Sequence, residues 1–236
     1  MKQSKAKIYL ADERGVNQTR WSRSLNTFNS GNYFNEHKTP FGDIYVVSDD
    51  SLDAGHSLHI TMEEYSYVVL LPVMGAIRYK DSSGSDNLIA AGQIETLTIN
   101  KNEKIEIRNP FSDGLINFLQ IRIRAGALEK DKRADLSTYN VNQHLNELIK
   151  ISSDTIGGLP LSFSISIGKF SGRAEATYEL KDKNAGLFVF VIEGVFEVQG
   201  RLLHARDALA LREIEEVKME ALSNDAIILV IDSPLN

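Results

Sequence analysis

The chain has 236 residues, 42% of them hydrophobic and 25% charged, with a formal net charge of −6. That length allows one large or two small domains with sizeable cores. With no cysteine, disulfides, thiolate metal sites and a cysteine nucleophile are excluded, and an acidic chain without a basic stripe predicts no nucleic-acid partner.

In chain order, the basic start Met1–Lys7 leads into Ile8-Tyr9-Leu10, an apolar stretch too short for a signal peptide, and a cytoplasmic protein is expected. Trp21, Phe28, Tyr33 and Phe34 form an aromatic group expected to staple the amino-terminal segment onto a barrel. Asp49, Asp50 and Asp53 lack the glycine and glutamate frame of a calcium loop and read as a turn. His56 and His59 are three apart, so on a strand they face opposite sides, which argues for solvated or capping roles rather than a metal pair.

The run Val68–Ile77 is broken by Pro72 and Gly75 and stops at Arg78, well short of a membrane span. A tight turn at Asp81-Ser82-Ser83-Gly84, a short strand and Ala91-Gly92 follow. Lys104–Arg108 alternates polar and apolar with a period of two, which predicts a strand with Ile105 and Ile107 inward. Gln120 lies mid-strand between Phe118-Leu119 and Ile121-Arg122-Ile123, where it is expected to bond backbone or water. The charge run Glu129–Arg133 reads as a solvated linker. From Leu136 to Ile151, the spacing of Val141, Leu145, Leu148 and Ile149 predicts a connector helix.

Ser162–Ile167 alternates again, and Leu187–Val198 repeats the earlier pattern, an apolar run breaking at Gly194. Gln199-Gly200, a short strand and Ala205-Arg206-Asp207 complete the echo. Repetition of strand, glycine turn, strand, turn and strand predicts a duplicated antiparallel β architecture. The expected division is an N-terminal barrel over 1–125, a linker with a helix over 126–155 and a C-terminal barrel over 156–236. No Ser/His/Asp arrangement of nucleophile-elbow spacing and no glycine-rich phosphate loop appears.

The segments Thr27–Phe34, Asp53-Ala54-Gly55, Gly75–Gly84, Ala91-Gly92 and Asn109, followed by Ile167–Phe170, Val191–Gly194 and Ile228–Asp232, resemble the pirin-like proteins in order and spacing. The resemblance implies an all-β bicupin, two cupin-type antiparallel β-barrels. It also implies an Fe(II) site in the N-terminal barrel, on a His-x-His pair and a His-x-Glu pair, that supports quercetin-dioxygenase-like activity. Carried onto this chain without gaps, those positions are Thr61 and Glu63, then Ile105 and Ile107. Isoleucine has no lone pair to give a metal, so no metal and no cofactor are expected, as in the metal-less, YhaK-like branch of the family.

Glu63 is expected on the inward face near Ile105 and Ile107, where a carboxylate needs a compensating arginine, lysine or tyrosine, a place at the barrel mouth, or a proton. Thr61, Glu63, Ile105, Ile107 and Gln120 are thus the candidate ligand-binding residues. The leading expectation is a metal-free binding or regulatory protein with a small-molecule ligand in the N-terminal barrel or a protein partner, and no membrane association. The alternatives are a cofactor-free enzyme using Glu63 as acid or base, and a metal-dependent dioxygenase.

Overall fold

The computed structural model describes residues 5–82, 84–126, 133–180, 182 and 184–235. In the first half run β1 (Lys5–Tyr9), β2 (Gly15–Gln18), β3 (Ser22–Asn26), β4 (Ile44–Leu52), β5 (Ser57–Thr61), β6 (Ser66–Met74), β7 (Ala76–Asp81), β8 (Asp86–Ala90), β9 (Gln93–Ile99), β10 (Lys104–Arg108), β11 (Ile116–Arg124) and β12 (Ala134–Thr138). The second half continues with β13 (Leu148–Lys150), β14 (Thr155–Ile156), β15 (Leu159–Pro160), β16 (Ser164–Phe170), β17 (Glu175–Glu179), β18 (Ala185–Glu193), β19 (Phe196–Val198), β20 (Arg201–Leu203), β21 (Ala208–Arg212), β22 (Glu216–Ala221) and β23 (Ala226–Pro234). Among the described residues the one helical element is a 3-10 turn at Ala11–Glu13.

Chain contacts divide the fold into two units. One takes Gly15–Tyr139 with Thr155–Leu159; the other takes the described residues up to Arg14, Asn140–Asp154 and those from Pro160 onward. In the first unit a seven-stranded sheet, β12-β9-β6-β11-β4-β3-β2, faces a four-stranded sheet, β5-β10-β7-β8. Leu52, Val68, Leu70, Leu97 and Phe118 from the larger sheet meet Ile60, Ile77, Tyr79, Ile105 and Ile107 from the smaller one in a single core. The second unit repeats the scheme. Its six-stranded sheet, β1-β21-β18-β23-β16-β13, contains the order β21-β18-β23-β16, matching β9-β6-β11-β4, and its small sheet, β17-β22-β19-β20, matches β5-β10-β7-β8. The duplication visible in sequence is therefore a duplication of topology.

Each copy turns from its large to its small sheet at a glycine. Gly75, between β6 and β7, has φ +81, and Gly194, between β18 and β19, has φ +79, a left-handed backbone that side chains with a Cβ rarely adopt.

The expected connector helix is absent from its place, and the segment is strands and turns. Leu136 lies in β12, which pairs with the edge of β9, and Leu148 and Ile149 lie in β13, paired with β16. Between them, Asn140 Oδ1 accepts the Asn142 N–H at 3.0 Å and Asn146 sits at φ 66, so local asparagine turns break any helical run. The apolar spacing fails for a second reason: Leu136 and Leu145 remain 47% and 48% exposed, so no core face is there to reward a helix. Of the charge run, Glu129–Lys132 lies outside the described residues. Asp49 and Asp50 are not in a turn either; both are buried in β4.

Candidate functional site

Side chains alternate along a strand, so each inward face can be followed residue by residue. On β4 the core residue Leu52 is preceded on the same face by Asp50, Ser48 and Val46; on β11 the core residue Phe118 is followed by Gln120 and Arg122. Register places Gln120 beside Ser48, and on the other side of β4 it places Ser24 of β3 beside Asp50. The inner face of the N-terminal barrel thus changes from apolar to polar along its length. Where it becomes polar, a pocket of about 340 Å³ opens between β5, the edge of the small sheet, and β3, β4 and β11 of the large one.

The polar groups there are organised around Arg122. Its Nε and Nη2 both donate to Gln120 Oε1, at 2.8 and 2.5 Å, and it also bonds the Tyr45 hydroxyl. Ser66 Oγ donates to the Glu64 carbonyl at 2.9 Å, which makes Tyr45 the donor in its 2.6 Å contact with Ser66 and leaves the Tyr45 oxygen free to accept from Arg122. Asp50 and Glu63 act on Arg122 as charges through space. Burial lowers the Arg122 pKa from its ordinary value, and those charges oppose the effect.

Asp50 is 3% exposed, and desolvation pushes its carboxyl up to about 6, against hydrogen bonds from Ser24 and Ser48 and the charge of Arg122 that pull it down. Gln120 is 1% exposed, and its Nε2 has no acceptor among the described residues. Its orientation is fixed all the same, because flipping the amide would turn an N–H2 toward two guanidinium donors.

The residues expected from sequence divide into two groups. Thr61, Glu63 and Gln120 line the pocket, whereas Ile105 and Ile107 are 2% and 0% exposed in the core. The expectation for Glu63 is corrected: β5 ends at Thr61, Glu63 is exposed at the rim, and the residues paired with Ile105 and Ile107 are Ile60 and Leu58. Alternation explains it, since Leu58, Ile60 and Met62 carry the inward face and leave Thr61 and Glu63 on the other parity. Arg122 faces Glu63 at the pocket mouth, one of the compensations a carboxylate there requires.

His59 also lines the pocket, whereas His56 stacks on Trp21 with ring centroids 5.1 Å apart and bonds the Ala54 carbonyl through Nδ1. The aromatic group expected around Trp21 does not act as one staple: Phe28 is fully buried, but Trp21 and Phe34 are 42% and 79% exposed.

The four positions that the resemblance assigns to iron do not form a donor set. Two are buried isoleucines, one is a threonine and one an exposed glutamate, and no group of three or more His, Cys, Asp or Glu able to hold a metal occurs among the described residues.

Comparison with known proteins agrees with this architecture. Residues 162–233 match the family model of the quercetinase C-terminal cupin domain. A quercetin 2,3-dioxygenase of Escherichia coli K12 is 23% identical over 234 residues, covering 96% of this chain and 99% of that protein. Among solved structures, the E. coli pirin YhhW in complex with nickel(II) superposes with a TM-score of 0.85 at 18% identity, covering 98% of this chain and 100% of that one. E. coli YhaK superposes with a TM-score of 0.73 at 18% identity, covering 92% and 94%. Taken with the duplicated sheets and the in-order motifs, these likenesses show a bicupin fold over the chain and support a pirin-like protein, with the family's C-terminal cupin domain matched directly over residues 162–233.

Proposed function

We propose that this bicupin is a binding protein of the metal-less, YhaK-like kind, which takes a small molecule into the N-terminal pocket without help from a metal. One observation carries the reading. Leu58 and Ile60 give the pocket an aliphatic side, backed in the core by Ile107 and Ile105, while the polar groups that line it next to them, Gln120, Arg122 and Asp50, are suited to hydrogen bonding. The related E. coli protein is a quercetin 2,3-dioxygenase, and YhhW was solved with nickel(II). That chemistry would need ligands that aliphatic side chains at two of the four positions do not supply. The acid–base alternative rested on Glu63 being enclosed by Ile105 and Ile107, and Glu63 is at the exposed rim instead.

Metal analysis and a metabolite thermal-shift screen, run together, test the proposal. Protein purified without chelator is expected to carry only substoichiometric iron or nickel, and a ligand found in the screen should raise the melting temperature equally with and without EDTA. Thr61→Trp, an exposed rim position, should block the pocket and erase the shift. Stoichiometric metal, with ligand binding lost on chelation, would overturn the reading.

A further inference from the structure

We propose that the pocket selects small organic monocarboxylates, held by the guanidinium of Arg122 and the amide nitrogen of Gln120. The inference rests on the binding reading above and specifies its ligand class. Arg122 is the first reason. Its direct bonds go to two neutral groups, Gln120 Oε1 and the Tyr45 oxygen, so its charge is balanced at a distance rather than by a contact ion pair. It is partly open to the pocket, and the unused face of its fork fits a planar two-oxygen anion.

Gln120 is the second reason, and it is independent. A buried amide N–H without an acceptor forfeits a hydrogen bond that it would make in water, which an incoming oxygen recovers. Because Arg122 pins Oε1, that Nε2 is held in the wall of the same pocket that Arg122 lines, a buried donor without an acceptor among the described residues that a ligand oxygen would satisfy.

Charge and size narrow the class. Asp50 and Glu63 flank the site with two carboxyls against the one guanidinium, so each added negative charge on a ligand is penalised and a monoanion is favoured over a dianion such as a phosphate monoester. At about 340 Å³ the pocket lies at the small end of those that hold organic ligands. Ser24 and Ser48 both donate to Asp50 on the strands beside Arg122, so the wall next to the guanidinium offers acceptor oxygens to a ligand hydroxyl, as in a 2-hydroxy acid.

Calorimetry on the full chain in EDTA, with pyruvate, lactate and benzoate against pyruvamide, lactamide, benzamide and inorganic phosphate, tests the class. At least one carboxylate is expected to bind, with its amide and phosphate weaker by roughly tenfold or more. Arg122→Met should abolish that binding, and Arg122→Lys, which keeps the charge but not the fork, should weaken it by roughly tenfold. Gln120→Leu should weaken it as well. Equal binding of acid and amide by the unaltered protein overturns the proposal even if both arginine variants fail to fold, as does preferential binding of phosphate.

The two readings fail separately. A neutral ligand that binds in EDTA, is lost in Thr61→Trp and is indifferent to Arg122→Lys leaves the pocket reading standing and removes the carboxylate. If neither the carboxylates nor any metabolite binds, both fall.

Discussion

Between about pH 4 and pH 7 the unaltered chain should lose roughly 2.5 kcal/mol of stability relative to Asp50→Asn. The Asp50 carboxyl is buried, and desolvation raises it from 3.8 to about 6. A raised carboxyl binds its proton more tightly in the folded than in the unfolded chain. Its stabilising contribution is therefore complete below pH 3.8 and is lost as the pH climbs through about 6.

The charged groups acting on it are Arg122 across the strand, which favours ionisation, and Asp49 next to it, which opposes it; Ser24 and Ser48 bond its oxygens. Arg122 keeps its charge throughout this range, so any fixed cost of placing an amide beside it cancels when the difference between the two proteins is followed against pH. Urea unfolding of both proteins at intervals across the range gives that difference directly. A flat difference would mean that the Asp50 carboxyl is hydrated, and the pocket would then lose its desolvated wall.

The architecture was legible because it was written twice. Gly75 and Gly194, each ending an apolar run, mark the same crossing between sheets, and the alternation of Lys104–Arg108 put Ile105 and Ile107 inward, where they are found. Asparagine turns were harder to read. The spacing of Val141, Leu145, Leu148 and Ile149 matched a helix, but side-chain bonds from Asn140 and the left-handed Asn146 outweighed a periodicity that had no core to face.

At the site, Gln120 was visible, whereas its partners were not. Asp50 reads as one of three aspartates in a turn unless Val46, Ser48, Asp50 and Leu52 are recognised as one face of a strand. Arg122 becomes visible only once Phe118, Gln120 and Arg122 are put on another. Glu63 was misplaced for a related reason. A gapless count from Gly75 fixes sequence correspondence, but the face is decided by local parity, which Leu58, Ile60 and Met62 had already taken.

The two glycine crossings should respond unequally to a single methyl group. Gly194→Ala is expected to cost about 4 kcal/mol, combining roughly 1–2 for a left-handed alanine with 1–3 for forced overpacking. Its Cβ would lie 2.5 Å from Ser223 Oγ, 2.7 Å from Ala226 Cβ and 2.9 Å from Ala226 Cα. Neither neighbour can easily yield. Ser223 Oγ accepts the Val195 N–H at 3.0 Å, and Ala226 opens β23, the strand paired along β18 and β16.

At Gly75 the contact under 3 Å is with Ile116 Cγ2, at 2.8 Å, a side-chain methyl that can shift, so Gly75→Ala should cost nearer 2–3 kcal/mol. Gly200 supplies the reference. Its φ of +71 is also left-handed, but an added Cβ meets nothing within 4 Å, so Gly200→Ala should cost only about 1–2 kcal/mol. Urea midpoints for the three variants should therefore fall in the order Gly200, Gly75, Gly194, from the least to the most destabilised. If Gly194→Ala unfolds at the same urea concentration as Gly200→Ala, backbone handedness alone explains the glycines, and the crossing between sheets is not the close-packed junction that the duplication places in each barrel.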